Sequence, residues 1–272
     1  MTTLSVLGDS MTAQNPKLKL ELNPNRLSGI IGSAVIASTE IVNLHFRALA
    51  ADLGSAEEAS GVVYKFNAPE LNAEQRRSMH ENWILAKAFQ DLLRAVRHAL
   101  EEAYVMTVLL TRTHRIKSNA TLSKFLKPFQ SKAAGLKFPD LLAAVNELLD
   151  PKLEFSDSYK SLQQARNCLE HRDGIVSKIE THAKAAFTLK IPRIKIFYLR
   201  NGEEIEIAAG ERVEPGDDRE QVEVLMRFEV REKSVALGER LIFTLAEFNE
   251  IAFACNFLGQ QLSTRLPKPM VA

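Results

Sequence analysis

From Leu71 to Thr113 the chain reads LNAEQRRSMHENWILAKAFQDLLRAVRHALEEAYVMTVLLTRT, with no glycine or proline anywhere in it. Leu85, Phe89, Leu92, Val96, Leu100 and Ala103 recur there at threes and fours, so a helix places them all on one stripe. Asn72 stands where an N-cap side chain is needed. A helix this long and one-sided requires other helices to cover its apolar stripe, so the expected architecture is a helical bundle.

The neighbouring sequence supplies them. Apolar residues are dense from Leu27 to about Leu53, where Gly54 provides a stop. Further helical patterns occupy about 120 to 133, 139 to 149 and 156 to 172, with Pro128, Gly135, Pro139 and Pro151 as punctuation. Past Ile191 the period changes to two. RIKIFYLRNGEEIEI is a pair of alternating runs joined by Asn201-Gly202, a hairpin signal because both turn positions favour positive φ. QVEVLMRFEV and RLIFTL are expected strands, and a last helix runs from Leu245 to about Leu262. The expected fold class is mainly α: residues 1–25 form an arm whose KLKLEL run can add a strand, 26–190 the helical bundle, 191–245 a small antiparallel β segment, and 246–272 a C-terminal helix and tail.

Composition narrows the function. Thirty-five basic residues face 34 acidic ones, a net charge of +1, so attraction to phosphate must come from a local patch. The basic residues Arg112, Arg115, Lys117, Lys124, Lys127, Lys132 and Lys137, with His114, form such a run without an intervening Asp or Glu. Cys168 and Cys255 lack metal-type spacing, and His45, His80 and His98 lack carboxylates at ligand spacing, so neither a metal nor a cofactor is expected. Two free thiols suit a reducing compartment. No run of some 18 apolar residues and no basic-then-apolar leader is visible, so the expectation is a cytoplasmic chain with no membrane contact. VLGDSMTA resembles the nucleophile block of an SGNH-type esterase around Ser10, but the Asp-x-x-His such an enzyme needs near its C-terminus is missing, since the last histidine is His182.

The chemistry gathers at ARNCLEHRDG, residues 165–174. Asn167 and His171 are four apart and share a helix face, while Arg166 lies about 100° round with the longest reach. Asp173-Gly174 stops the helix and leaves His171 in the last turn, where an imidazole can donate or shuttle a proton. A guanidinium fork matches phosphate oxygens and stabilises the charge that develops on them. For cleavage of RNA the neighbouring ribose 2′-hydroxyl supplies the nucleophile, so a proton-transfer group, a cation and correct positioning suffice. A plainer reading makes the same residues an ordinary helix end, with Arg166 paired to a carboxylate such as Glu170.

RNCLEH resembles the motif of the HEPN superfamily, helical domains whose ribonuclease members carry Arg, four to six residues, then His, with a polar residue, often Asn, after the Arg. The gap here is four and the polar residue is Asn167. The resemblance covers at most residues 27–187. It implies a metal-independent endoribonuclease with Arg166, Asn167 and His171 as catalytic residues; the basic run offers Arg112, His114, Arg115 and Lys117, together with Arg172, as RNA contacts. It also implies a homodimer with a composite site, used in stress response or phage defence, and a protein partner or antitoxin as a further binder. The rival expectation is a non-catalytic HEPN-like module that dimerises or binds a partner through the β segment.

Overall fold

The computed structural model describes residues 22–51, 71–111, 119–182, 184–207 and 223–268. Among them the chain is mainly helical, with a small antiparallel sheet followed by a C-terminal helix. The helices are α1 (Asn25–Ala50), α2 (Ala73–Thr111), α3 (Asn119–Gly135), α4 (Phe138–Leu148), α5 (Ser156–Arg172) and the single turn α6 (Lys178–Thr181). Strands β1 (Ala186–Arg200), β2 (Glu203–Glu206) and β3 (Val224–Ala236) come next, and α7 (Leu245–Thr264) closes the sequence. The KLKLEL run falls almost wholly outside the described residues.

The stripe expected on α2 is buried throughout: Leu85, Phe89, Leu92, Val96, Leu100 and Ala103 are each at most 2% exposed. The helix begins where its sequence says it should. The Asn72 side chain accepts from the Gln75 backbone N–H at 2.8 Å, and the Gln75 side chain accepts from the Asn72 N–H at 3.1 Å. This reciprocal pair satisfies two donors that a helix start leaves bare.

The chain divides into two compact units. One comprises Met1–Ala34, Leu93–Lys160 and Cys255–Ala272. Its core holds Leu27, Ile31, Leu141, Val145, Leu258 and Leu262, all fully buried. Arg97 closes the end of α3 by donating to the Ala134 and Leu136 carbonyls at 2.9 and 3.0 Å, carbonyls that the helix itself leaves without partners.

The second unit comprises Val35–Leu92 and Ser161–Ala254 and contains the whole sheet, ordered β2-β1-β3. The β1–β2 hairpin turns at Asn201 and Gly202, with φ of 55° and 80°, as the dipeptide predicts. β3 pairs with β1 from Ala186↔Ala236 to Tyr198↔Val224. RLIFTL is not a strand: apart from one bridge, Ile175↔Arg240, it joins no sheet, and its last residue, Leu245, begins α7. Its backbone groups are spent elsewhere, since the Leu241 N–H donates to Gly174 at 2.8 Å and the Ile242 carbonyl accepts from the Lys233 ammonium at 2.9 Å.

By length and composition α1 is apolar enough to cross a bilayer, and only 22% of its apolar window is buried. Ile36, Ile41 and Leu44 on it are more than half exposed. Polar residues interrupt the apolar run of α1, which is why no stretch of some 18 consecutive apolar residues marks it in the sequence.

Candidate functional site

The last turns of α5 are fixed from three sides within the second unit. Leu162, Ala165 and Cys168 bury one face completely. Ser161 ties the helix to the start of β1, its hydroxyl accepting from the Lys190 N–H at 2.9 Å and donating to the Lys190 carbonyl at 3.3 Å. At the helix end Asp173 and Gly174 turn left-handed, with φ of 50° and 80°, and the Gly174 N–H reaches back to the Cys168 carbonyl at 3.1 Å. That bond, made across two left-handed residues, caps the helix by satisfying a carbonyl of the final turn.

The stop is then fastened in place. Leu241 donates to Gly174, and Val176 to Glu239 at 2.9 Å. A Cβ at position 174 would stand 3.2 Å from both the Leu169 side chain and the Leu241 carbonyl, on a backbone that L residues rarely adopt. Gly174→Ala is therefore expected to lower stability by about 1–3 kcal/mol. Urea denaturation checks this; an unchanged midpoint would contradict the role given to Gly174.

On the side of α5 opposite Leu162, Ala165 and Cys168, Gln163 is buried as well, and the last turn exposes Glu170 and His171. At 100° per residue, Arg166 and His171 stand on its two edges, about 140° apart, with Glu170 and Asn167 between them. His171 is exposed, and among the described residues its ring makes no hydrogen bond or ion pair. Asn167 is half-buried and accepts from the Gln163 amide at 2.9 Å. Its own amide nitrogen is left to donate outward.

Arg166 is engaged. Its Nη2 lies 2.7 Å from Glu170 Oε2, the pairing that the plainer reading of the sequence expects, and its Nε is buried without a partner. Such a pair near the surface is worth about 0–1 kcal/mol, so an anion with two well-placed oxygens can displace the carboxylate.

The other expected contacts divide. Arg112, His114, Arg115 and Lys117 lie outside the described residues. Arg172 is held by an ion pair to the buried Glu180, a carboxylate that also caps α6 by accepting from the Ser177 N–H at 2.9 Å. Burial alone would raise the Glu180 carboxyl, but the Ser177 hydrogen bonds and the Arg172 charge outweigh it and hold it below the usual range. A guanidinium committed to that partner braces the end of α5 instead of standing at an open rim. Burial pushes the Cys168 thiol up, and the Cys255 thiol to about 12, so neither is poised as a nucleophile.

One feature of the same unit gave no sequence signal. A cleft of about 790 Å³ runs along α2, and its lining includes Trp83, Lys87 and Gln90 with Leu169, Asp173 and Arg240. Leu169 follows Arg166 on α5 at i+3 and Asp173 lies just past the helix end, so the cleft adjoins the last turn of α5. Read singly, a tryptophan and a glutamine in a helix carry no function; only the turn that brings Arg240 beside Gly174 makes them a wall. Compared with known proteins, the chain matches no family model, no curated protein and no solved structure.

Proposed function

We propose that the end of α5 is the active centre of a metal-independent endoribonuclease of HEPN type. His171 transfers protons to and from the ribose 2′-hydroxyl and the leaving 5′-oxygen. Arg166 holds the scissile phosphate and stabilises its developing charge, and Asn167 donates to a phosphate oxygen or orients the imidazole. Attack by the 2′-oxygen on phosphorus forms a 2′,3′-cyclic phosphate and expels the 5′-hydroxyl of the next nucleotide, so phosphorus gains one P–O bond as it loses another. In such a dimer the two copies of this helix end would share one cleft, and the products would serve a stress or defence response.

One observation carries the reading: an exposed histidine with no protein partner among the described residues stands at a helix end braced by Ser161, Gly174 and Arg172, with Asn167 beside it and Arg166 at the far edge of the same helix end. The test is incubation with single-stranded RNA in EDTA. Wild type cuts, whereas His171→Ala and Arg166→Ala do not; normal cutting by both variants removes the proposal.

The sheet favours a second reading. Ile196, Met226 and Phe228 share one face of β1 and β3 and are 42%, 71% and 50% exposed. An apolar sheet face of this kind suits association. On this reading the protein is an RNA-inert module that dimerises through the sheet, and Met226→Lys with Phe228→Lys gives monomers in analytical ultracentrifugation.

A further inference from the structure

The chain has a single tryptophan, and it is not in the core. Trp83 is 60% exposed on α2, although an indole is the side chain that gains most from burial. Trp83, Ala86, Lys87 and Gln90 follow at i, i+3, i+4 and i+7 and so form one stripe, which walls the cleft beside α5.

The polar groups around the indole are unspent. Gln90 is only 8% exposed, yet among the described residues its amide has no hydrogen-bond partner, and it lines the cleft. Its amide faces the cleft with no protein partner among the described residues to displace, so a ligand edge offering both a donor and an acceptor can bond to it. Lys87 and Arg240 line the same cleft with no ion pair among the described residues, and the carboxylates of Asp173 and Glu74 stand there equally unpaired. The chemistry on offer is a flat aromatic surface, an amide for a heterocycle edge, carboxylates that accept from hydroxyls, and two cations for an anion.

A nucleotide uses all four. Its base stacks, its base edge bonds to an amide, its ribose hydroxyls donate and its phosphate takes the cations. The cleft adjoins the last turn of α5, and its lining residue Leu169 is three positions from Arg166. We infer that the Trp83–Gln90–Arg240 cleft is a subsite for one unpaired nucleotide of an RNA strand, held beside the nucleotide whose phosphate meets Arg166. Its placement next to a scissile bond rests on the ribonuclease reading; its capacity to bind does not.

Because Trp83 is the only indole, its emission reports on the cleft without a label. The His171→Ala protein is titrated with an eight-nucleotide single-stranded RNA and, separately, with adenosine monophosphate. The RNA quenches Trp83, and the mononucleotide binds more weakly. Trp83→Ala weakens RNA binding between about 5- and 150-fold by fluorescence anisotropy, from the stacking free energy of one base. Trp83→Phe restores most of it, and Gln90→Leu flattens the preference among bases. RNA binding with unchanged emission and no loss in Trp83→Ala overturns the subsite, as does the absence of quenching by either ligand. Equal affinity for RNA and mononucleotide overturns the assignment to a strand. Should the wild-type protein fail to cut RNA while Trp83 is quenched as described, the cleft stands and the ribonuclease reading alone falls.

Discussion

Arg193→Ala is expected to destabilise the protein by about 3 kcal/mol, the low end of what removing one member of a buried ion pair does, because its partners keep some water. Arg193 sits on β1 and is 7% exposed. Its guanidinium pairs with Glu206 on β2, with Glu229 directly across on β3, and with Glu250 on α7 at 3.4 Å. Deleting it leaves three carboxylates facing one another, with Arg231 at 2.9 Å from Glu250 and Arg227 at 3.2 Å from Glu229 as the remaining close cations. Replacing all four groups by apolar residues of similar size should be far milder, since the desolvation of the charges disappears along with their attraction.

The same cluster predicts acid sensitivity. The hydrogen bond from Arg193 holds the Glu206 carboxyl below its usual value of 4.5; at Glu229 burial pushes upward, but Arg193 and Arg227 overcome it. Carboxyls lowered in the folded state stabilise it above 4.5, and that contribution fades as the pH falls through their lowered values. Glu250, raised by burial, runs the opposite way and takes up its proton first. Urea midpoints between pH 6 and pH 3 should therefore fall more steeply for wild type than for Arg193→Ala; parallel curves would show that the cluster does not link protonation to folding.

The second large effect is catalytic. His171→Ala is expected to lower kcat for RNA cleavage by about 10²–10⁴-fold, the usual contribution of a positioned proton-transfer group. His171 is exposed and without a protein partner among the described residues, so the melting temperature should stay where it was. Arg166→Lys separates charge from geometry: an ammonium keeps the cation but loses the two-pronged fork, so kcat falls while KM changes little. A loss confined to KM would make Arg166 a binding residue only, and a His171→Ala enzyme with wild-type kcat would remove the proton-transfer role.

Much of the scaffold was legible because it depends on local rules. The stripe of α2, the Asn72 cap, the Asn201-Gly202 turn and the Asp173-Gly174 stop each follow from spacing or from φ preferences within a few residues. The sheet shows where such rules end. Alternation in RIKIFYL says that two faces exist, not which one meets the core. Here Arg193 is buried with Phe197, over which Arg227 lies at 5.0 Å, while Ile196 on the other face is 42% exposed. RLIFTL has the composition of a strand, but its Leu241 N–H is taken by the turn after α5, a partner some 65 residues away in sequence that no local pattern reveals, and its Ile242 carbonyl by the Lys233 side chain. The candidate site divides in the same way. Arg166, Asn167 and His171 are contiguous enough to read, whereas the Trp83 and Gln90 wall exists only once α2, α5 and Arg240 have met.

The most direct test of the central claim follows from the nucleophile, which on this account belongs to the substrate. Matched oligonucleotides, one all-ribose and one fully 2′-deoxy, are incubated with wild-type protein in EDTA, and product ends are read by mass spectrometry. The account predicts cleavage of the ribose strand alone, with 2′,3′-cyclic phosphate on one fragment and a 5′-hydroxyl on the other. Cleavage of the deoxy strand, or products bearing a 5′-phosphate, would contradict it.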